Sequence, residues 1–195
     1  MIVKGQKSFT RNREKLSYKD WTLFLDRDGV INKKIEGDYV RSWEQFAFLP
    51  ESLDGLRGLS NLFKRLIIVT NQRGIARQVM TQNNLQDIHS RMIERLEKEG
   101  IRIDAIYTCP HDVSDRCGCR KPEIGLFIQA QKDFPDINFQ KSIFLGDSPS
   151  DWETAKKVGA LAIGIGPSSI ISENDNIPTY PNLKDYCQNL IEGET

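Results

Sequence analysis

The stretch Trp21-Thr-Leu-Phe-Leu-Asp26-Arg-Asp28-Gly29-Val-Ile-Asn32 decides the fold. Residues 21–25 predict a short buried strand, and Asp26 and Asp28 follow at its carboxyl end, where open α/β sheets place their ligands. Because an unpaired carboxylate there is costly to desolvate, the two acids predict a bound metal ion or a substrate cation. Gly29 permits the sharp turn that lets both acids face one point. A solvated Asp-Gly turn is the alternative, and the rest of the chain disfavours it.

The composition describes one ordinary domain of 195 residues, which is long enough to bury a core. Lys plus Arg and Asp plus Glu both number 27, so no overall charge draws the chain to nucleic acid or to a membrane. No run approaches the roughly 20 apolar residues of a membrane span. The basic residues 1–20 lack the apolar centre of a signal peptide and predict a flexible N-terminal arm, ahead of a single domain over 21–195. We expect a monomer in the reducing cytoplasm.

Strand and helix patterns alternate along the chain. Strands are predicted at 21–25, 66–69, 103–107, 142–145 and 161–165. Helices are predicted from 49–51 to 62, from an N-cap at Thr81 to 98, and at 124–132, 151–158 and 182–191. This alternation predicts an α/β fold with a Rossmann-like, mostly parallel sheet, right-handed crossovers and flanking helices. The modest segment between Asp28 and Thr70 leaves too little chain for a large cap domain.

Polar side chains follow these strands at the point where each strand ends. They are Asp26, Asp28, Thr70, Asn71, Arg120, Lys121 and Asp147. Because the carboxyl ends of parallel strands meet at one edge, we expect the whole set to converge there. Carboxylate oxygens suit Mg²⁺, whereas a hydroxyl, an amide and a lysine suit a phosphate group. The combination predicts phosphoryl transfer with an aspartate nucleophile.

Charge assigns a role to each residue. Mg²⁺ held by Asp26 and Asp147 would neutralise the repulsion between the Asp26 nucleophile and a phosphate dianion. Lys121 adds a second positive charge on the transferring group, and Thr70 and Asn71 donate hydrogen bonds to its oxygens.

Asp28 is predicted to serve both the metal and the proton. Its position supplies a third ligand to Mg²⁺, through a nearby backbone carbonyl. Its carboxyl group protonates the leaving alcohol and then takes a proton from the attacking water. For the first of these steps the pKa of Asp28 should be raised by acidic neighbours and partial burial.

Four motifs resemble those of the haloacid dehalogenase-like phosphatase superfamily, in the same order. They are Asp26-x-Asp28-Gly29, Thr70, Lys121-Pro122 and Gly146-Asp147-x3-Asp151. The resemblance runs from about residue 21 to 165 and implies that fold, Mg²⁺ and an aspartyl-phosphate intermediate. For Asp151 it implies a role in positioning Lys121 or supporting the metal site, with a simple helix cap as the alternative.

The loop over residues 109–119 predicts a structural Zn²⁺ site. Cys109, His111, Cys117 and Cys119 supply four soft ligands at compact spacing, which leaves no position open for catalysis. Zinc would fold a loop that has no apolar core of its own and would fix the two cations that follow it. A redox-active Cys-x-Cys pair and a nucleic-acid zinc knuckle are the alternatives. Neutral charge and few interleaved aromatic residues favour structural zinc.

The zinc loop joined to Arg120-Lys121-Pro122 resembles a narrow branch of the superfamily, which contains heptose bisphosphate phosphatases and histidinol-phosphate phosphatases. Residues 25–32 and 70–77 are closer to the heptose enzymes, whereas the short spacing between His111 and Cys117 is closer to the histidinol enzymes. The resemblance implies a small phosphorylated metabolite as substrate, and we favour a sugar bisphosphate. Arg120 is predicted to contact phosphate or sugar.

Three points stay open on the sequence alone. Arg77 is divided between a substrate contact and a solvated loop residue. A polynucleotide 3′-phosphatase shares the general layout, although neutral charge argues against a nucleic-acid partner. A non-catalytic, zinc-stabilised binding domain is the alternative from outside enzymes, and the presence of both Asp26 and Asp28 disfavours it.

Overall fold

The computed structural model describes residues 17–167 and 177–193. Within them, six strands form one parallel sheet: β1 Thr22–Leu25, β2 Arg65–Asn71, β3 Ala105–Cys109, β4 Ser142–Gly146, β5 Leu161–Ile165 and β6 Thr179–Tyr180. The strand order is β3-β2-β1-β4-β5-β6, and every pair is parallel. The chain moves outward from β1 to β3 and then returns to the other side of β1 with β4. The carboxyl ends of β1 and β4 therefore flank the point at which the strand order reverses, where such sheets bind ligands.

In the described part of the chain, five α-helices cover the two faces of the sheet: α1 Ser52–Leu62, α2 Gln82–Lys98, α3 Gly125–Asp133, α4 Pro149–Val158 and α5 Leu183–Glu192. Alternate residues of β1 point to opposite faces, as the strand repeat requires. Leu23 and Leu25 join the core cluster that includes the inner residues of α1, α2 and α5. Phe24 joins the second cluster, which lies on the side of α3. The predicted α/β sheet with flanking helices is therefore confirmed.

Helix α2 begins where its cap predicts. The Thr81 hydroxyl accepts a hydrogen bond from the backbone N–H of Asn84 (3.1 Å), and the Asn84 side chain accepts one from the backbone N–H of Thr81. Leu85, Ile88 and Met92 form its buried face. The predicted helix and its Thr81 cap are therefore confirmed.

Strand β3 lies two residues further along the chain than predicted. The Asp104 carboxylate accepts a hydrogen bond from the backbone N–H of Leu66 (2.8 Å), and the Asp104 backbone N–H donates to the Leu66 carbonyl (2.8 Å). Strand pairing with β2 begins at the next residue, where Ala105 is the partner of Ile67. The strand then follows β2 to its end, where Cys109 is the partner of Asn71. Strand β6 was not predicted, because two residues carry no periodic pattern.

The predicted N-terminal arm, residues 1–20, falls mostly outside the described residues. Tyr18, near its end, packs its ring against Trp21 and Phe63. Among the described residues, no helix combines the length and the apolar character that crossing a membrane would need.

Candidate active site

Asp26 leaves the central strand at the carboxyl edge of the sheet. Its backbone N–H donates to the Leu145 carbonyl (2.9 Å), so the pairing of β1 with β4 continues up to the acid. Gly29 closes the following turn with a φ of +91°, and a Cβ atom there would lie 2.1 Å from Oδ2 of Asp147. A larger residue would strain the turn and displace Asp147, so glycine is required by the close approach of the two loops.

Lys121 is the cation that joins the acids of the site. Its buried Nζ lies 2.9 Å from Oδ1 of Asp26 and 2.6 Å from Oδ1 of Asp151, and it donates to the Val69 carbonyl (2.9 Å). Burial alone would lower the pKa of Lys121, but the Asp151 and Asp26 carboxylates raise that pKa above its ordinary value. The ammonium group therefore stays charged.

Three carboxylates meet around this lysine. Asp26, Asp147 and Asp151 each offer an oxygen, and these oxygens all lie within 4.8 Å of one another. Burial raises the pKa of Asp26 to about 7; Lys121 opposes this rise, and the neighbouring carboxylates add to it. Burial also raises the pKa of Asp147, against the opposing charge of Lys34. The cluster thus holds more negative charge than its lysines balance, and its oxygens suit Mg²⁺.

Asp151 combines the two roles that the sequence left as alternatives. Its Oδ2 accepts hydrogen bonds from the backbone N–H (3.2 Å) and the hydroxyl (2.6 Å) of Ser148, and so caps α4. Its Oδ1 contacts Lys121. One side chain therefore fixes the start of a helix and the orientation of the lysine.

The carboxylate of Asp28 is held by donors rather than by acids. Arg27 Nη2 donates to both of its oxygens (3.0 and 2.8 Å), and Asn32 Nδ2 and Gln72 Nε2 donate to one oxygen each (2.8 Å). Burial would raise the pKa of Asp28, but the Arg27 charge and these hydrogen bonds lower it below its ordinary value. The predicted rise is therefore wrong. The acid that clusters with Asp26 and Asp147 is Asp151, not the side chain of Asp28.

Thr70 and Asn71 end β2 beside the lysine. The buried Thr70 hydroxyl accepts a hydrogen bond from Gln72 Nε2 (2.9 Å). The Asn71 amide donates to the Lys121 carbonyl (3.2 Å) and accepts from the Lys121 backbone N–H (3.1 Å). Asn71 thereby holds the main chain of the lysine against the sheet.

Several polar side chains of this site were not predicted, among them Arg27, Lys34 and Gln72. Arg27 is fully buried, Lys34 Nζ lies 3.0 Å from Oδ2 of Asp147, and Gln72 bridges Asp28 and Thr70. Arg27 and Gln72 stand next to predicted site residues, and this adjacency is their only signal. Lys34 gives none, because its partner is 113 positions away.

The four predicted zinc ligands lie together. The three sulfur atoms of Cys109, Cys117 and Cys119 are 3.2 to 3.6 Å apart, and His111 Nδ1 is 3.2 Å from Cys119 Sγ and 3.6 Å from Cys109 Sγ. Tetrahedral zinc with Zn–S bonds of about 2.3 Å would place sulfur atoms roughly 3.8 Å apart. Cys109 is the buried last residue of β3, so the sheet anchors one end of the set.

Arg77 contacts the same loop and remains exposed to solvent. Its Nε lies 3.4 Å from Oδ2 of Asp112, and Arg73 Nη2 lies 2.5 Å from Oδ1 of the same carboxylate. These pairs connect the loop after β2 to the cysteine loop.

A cleft of about 540 Å³ opens beside Lys121, with Asn71, Arg116 and Arg120 among its lining residues. Arg120 donates weakly to the His111 carbonyl (3.4 Å) and borders this space. Asp112 and Glu123 also line this cleft. The two arginines beside the lysine suit an anionic ligand with more than one charged group.

Comparisons with known proteins agree with this geometry. A family model described as "Polynucleotide kinase 3 phosphatase" matches residues 12–160. A Mycobacterium bovis D-glycero-alpha-D-manno-heptose-1,7-bisphosphate 7-phosphatase is 44% identical over 142 residues, which are 73% of this chain and 75% of that protein. The enzyme of that name from Campylobacter jejuni is 37% identical over 180 residues, 88% of this chain and 96% of its own.

A solved structure extends the likeness to three dimensions. The crystal structure of D,D-heptose 1,7-bisphosphate phosphatase from B. bronchiseptica, complexed with magnesium and phosphate, superposes with a TM-score of 0.80 at 27% identity. It covers 89% of this chain and 99% of its own. Together, the fold, the site and these likenesses define a haloacid dehalogenase-like phosphatase. The chain belongs to the family that the matching model describes and, within it, to the branch of the heptose bisphosphate phosphatases.

Proposed function

We propose that the chain is a Mg²⁺-dependent D-glycero-D-manno-heptose 1,7-bisphosphate 7-phosphatase acting through an aspartyl phosphate. The observation that carries the proposal is the contact of Asp26 with Lys121 at the edge of a cleft that also carries Arg116 and Arg120. Such a layout suits a substrate with one phosphate at the nucleophile and a second beyond it. The names of the relatives support the same substrate.

The reaction divides into two displacements on phosphorus. In the first, Asp26 forms a bond to phosphorus, the bond to the sugar oxygen breaks, and that oxygen takes up a proton. In the second, water attacks the aspartyl phosphate, releases inorganic phosphate and restores the carboxylate. Lys121 lies against Asp26 and is charged, so it can bind the oxygens of the transferring group throughout. The Thr70 hydroxyl is proposed to donate a hydrogen bond to the same oxygens.

Asp28 is proposed to handle the protons. The Arg27 pair and the lowered pKa of Asp28 keep its carboxylate ionised, so it is prepared to accept a proton from the attacking water. As an acid in the first displacement it needs a proton gained when substrate binds.

Asp26 and Asp147 would hold Mg²⁺, with Asp151 close enough to complete or orient the set. The fit rests on the three buried carboxylates and on their uncompensated charge. When bound, the ion supplies positive charge that lets an anionic nucleophile approach an anionic phosphate.

Structural zinc is proposed for Cys109, His111, Cys117 and Cys119, whose spacing fits a tetrahedral site. None of the four cysteines forms a disulfide bond, which supports a reducing compartment such as the cytoplasm. We further propose that Arg120 contacts the substrate within the cleft.

The test measures phosphate release by wild type and Asp26→Asn with Mg²⁺ present. The substrates are both anomers of the heptose bisphosphate, histidinol phosphate and a 3′-phosphorylated oligonucleotide. We expect preference for a heptose bisphosphate, with activity in the variant reduced by about a thousandfold or more. The matched control is Asp136→Asn, which changes an exposed acid that pairs with Arg65, and this variant should behave as wild type.

Each other outcome has a definite meaning. Preference for histidinol phosphate would assign the chain to the other enzymes of the branch. Preference for the oligonucleotide would make the activity named in the family model the correct one. Full activity of Asp26→Asn would show that Asp26 is not the nucleophile. Turnover of none of these phosphoesters would favour the binding-domain alternative.

A further inference from the structure

Arg27 is a buried charged residue that contacts both Asp28 and His89. Its side chain is fully buried, and an isolated cation in such a place would be strongly destabilising. Nη2 donates to both oxygens of Asp28, while Nη1 lies 3.0 Å from Nε2 of His89 on α2. The guanidinium group therefore connects the second acid of the catalytic turn to the inner side of a helix.

The contact fixes the protonation state of His89. A guanidinium group has donors only, so Nε2 of His89 must be the acceptor. The imidazole is then neutral and carries its proton on Nδ1. Burial, with the Arg27 charge added, lowers the pKa of His89 to about 3, which agrees with a neutral ring.

His89 has a rigid support. It lies on α2, between Ile88 and Met92, both of which are fully buried. The cap at Thr81 fixes the start of that helix. The helix thus holds the imidazole, and the imidazole holds one arm of the Arg27 fork in a set orientation.

Two further side chains donate hydrogen bonds to the carboxylate of Asp28. Asn32 holds Oδ1, and Gln72 holds Oδ2 while also contacting the Thr70 hydroxyl. Each oxygen of Asp28 therefore has at least two donors, and its orientation is over-determined.

We propose that His89 and Arg27 are positioning residues. They orient the Asp28 carboxylate for proton transfer and take no part in the reaction themselves. The inference rests on the proposed function, since it assigns to Asp28 the proton transfer described there. His89 touches neither substrate nor metal in this scheme. It acts through Arg27 alone.

The experiment compares His89→Leu with His89→Gln. Leucine fills the space but removes the acceptor, whereas the glutamine carbonyl can accept from Arg27. Because general acid–base steps contribute about 10² to 10⁴ in rate and are sensitive to geometry, we expect His89→Leu to lower kcat about tenfold or more, with KM changed less than about threefold. His89→Gln should recover most of that loss. Met92→Leu, one turn away on the same buried face, is the control for packing and should keep the wild-type kcat.

A second readout needs no variant. Nitrogen NMR of the wild-type side chain should show His89 as the neutral Nδ1–H tautomer at pH 6 to 8, with Nε2 as a hydrogen-bond acceptor. A protonated ring or the Nε2–H tautomer would overturn the proposal even if His89→Leu failed to fold.

The kinetic outcomes separate two failures. If folded His89→Leu has the kcat of the wild type, the positioning role is overturned and the proposed phosphatase function stands. Equal loss in His89→Gln and His89→Leu would also overturn it, because the acceptor would not matter. No phosphate release by wild type on any substrate would instead remove the proposed function itself.

Discussion

Asp151 illustrates at the residue scale how one side chain can serve the helix and the site together. Its two oxygens have separate partners, Ser148 for the helix cap and Lys121 for the site. The charge matters only to the second partner, since an amide oxygen can cap a helix as well. The two contributions can therefore be separated by a substitution that keeps the shape.

Asp151→Asn should retain the cap of α4 and lose the ion pair with Lys121. Lys121 keeps Asp26 as a partner, so we expect a loss of about 1 to 3 kcal/mol in the free energy of unfolding, less than for a fully orphaned buried charge. Urea denaturation without added Mg²⁺ measures it. Glu153→Gln, which removes an exposed pair with Lys157 on the same helix, is the control and should change stability by less than about 1 kcal/mol. Equal effects of the two variants would mean that the buried pair contributes no more than the exposed one.

Lys34 gives the second prediction at this scale. Its half-exposed ammonium group occupies an oxygen of Asp147 that the proposed Mg²⁺ would use. Removing this competing charge in Lys34→Met should tighten Mg²⁺ binding about threefold to tenfold, in keeping with a partly exposed pair worth about 1 kcal/mol. Isothermal titration calorimetry without substrate measures the change. The neighbouring exposed Lys33→Met should have a smaller effect, and an unchanged or weakened affinity in Lys34→Met would contradict the competition.

The predictable and unpredictable residues of the site differ in a physical way. Asp26, Lys121 and Asp147 stand directly after strands or inside a motif, so their place at the sheet edge follows from the order of the elements. Arg27 could not be assigned, because a charged residue in a polar turn is ordinarily exposed. Its burial depends on Asp28 and on a histidine from a distant helix. The same network reversed the predicted pKa shift of Asp28.

At the scale of elements, local signals account for what was predicted. Helix α2 has a capping residue and a long apolar repeat, and both signals lie within the sequence of the helix itself. Strand β3 was displaced because its register is set by β2 and by the Asp104 side chain, which lie in tertiary structure. The displacement has a consequence: the first predicted zinc ligand, Cys109, belongs to the sheet rather than to the loop.

The cysteine loop gives the prediction at this scale. Cys117→Ser should abolish stoichiometric zinc binding, loosen the loop that precedes Arg120 and Lys121, and lower phosphatase activity at saturating Mg²⁺. Colorimetric zinc release, with a stoichiometry of one per wild-type chain expected, provides the measurement. The control is Cys187→Ser, which changes a buried cysteine outside the cluster; this variant should bind zinc as the wild type does. Full activity in zinc-free Cys117→Ser would show that the loop does not need the metal to position the lysine.

At the scale of the whole molecule, the site follows from topology more than from any one residue. Strand β1 lies between β2 and β4, so the chain reverses its direction of travel across the sheet at β1. Side chains from the ends of three strands therefore meet at one edge of the sheet, although Asp26 and Asp147 are 121 positions apart in sequence. The regular alternation of strands and helices carried this information, and it was sufficient to predict the sheet edge that bears the acids.

The charge of the whole chain yields the last prediction, which concerns nucleic acid. A protein that recognises DNA through several phosphates releases counterions, and its log K falls with log[salt] by about 0.9 for each phosphate of a duplex. Here Lys plus Arg equals Asp plus Glu, and many basic side chains of the described residues are paired with acids, as Arg91 is with Asp87. We therefore expect weak binding to 3′-phosphorylated duplex DNA, with a slope shallower than about −2. Fluorescence anisotropy from 50 to 200 mM salt measures it, and replacing Lys4, Lys7, Arg11 and Arg13 by serine tests the basic residues near the start of the chain. A slope of about −4 or steeper that these four substitutions flatten would give the chain a nucleic-acid partner and overturn the metabolite assignment.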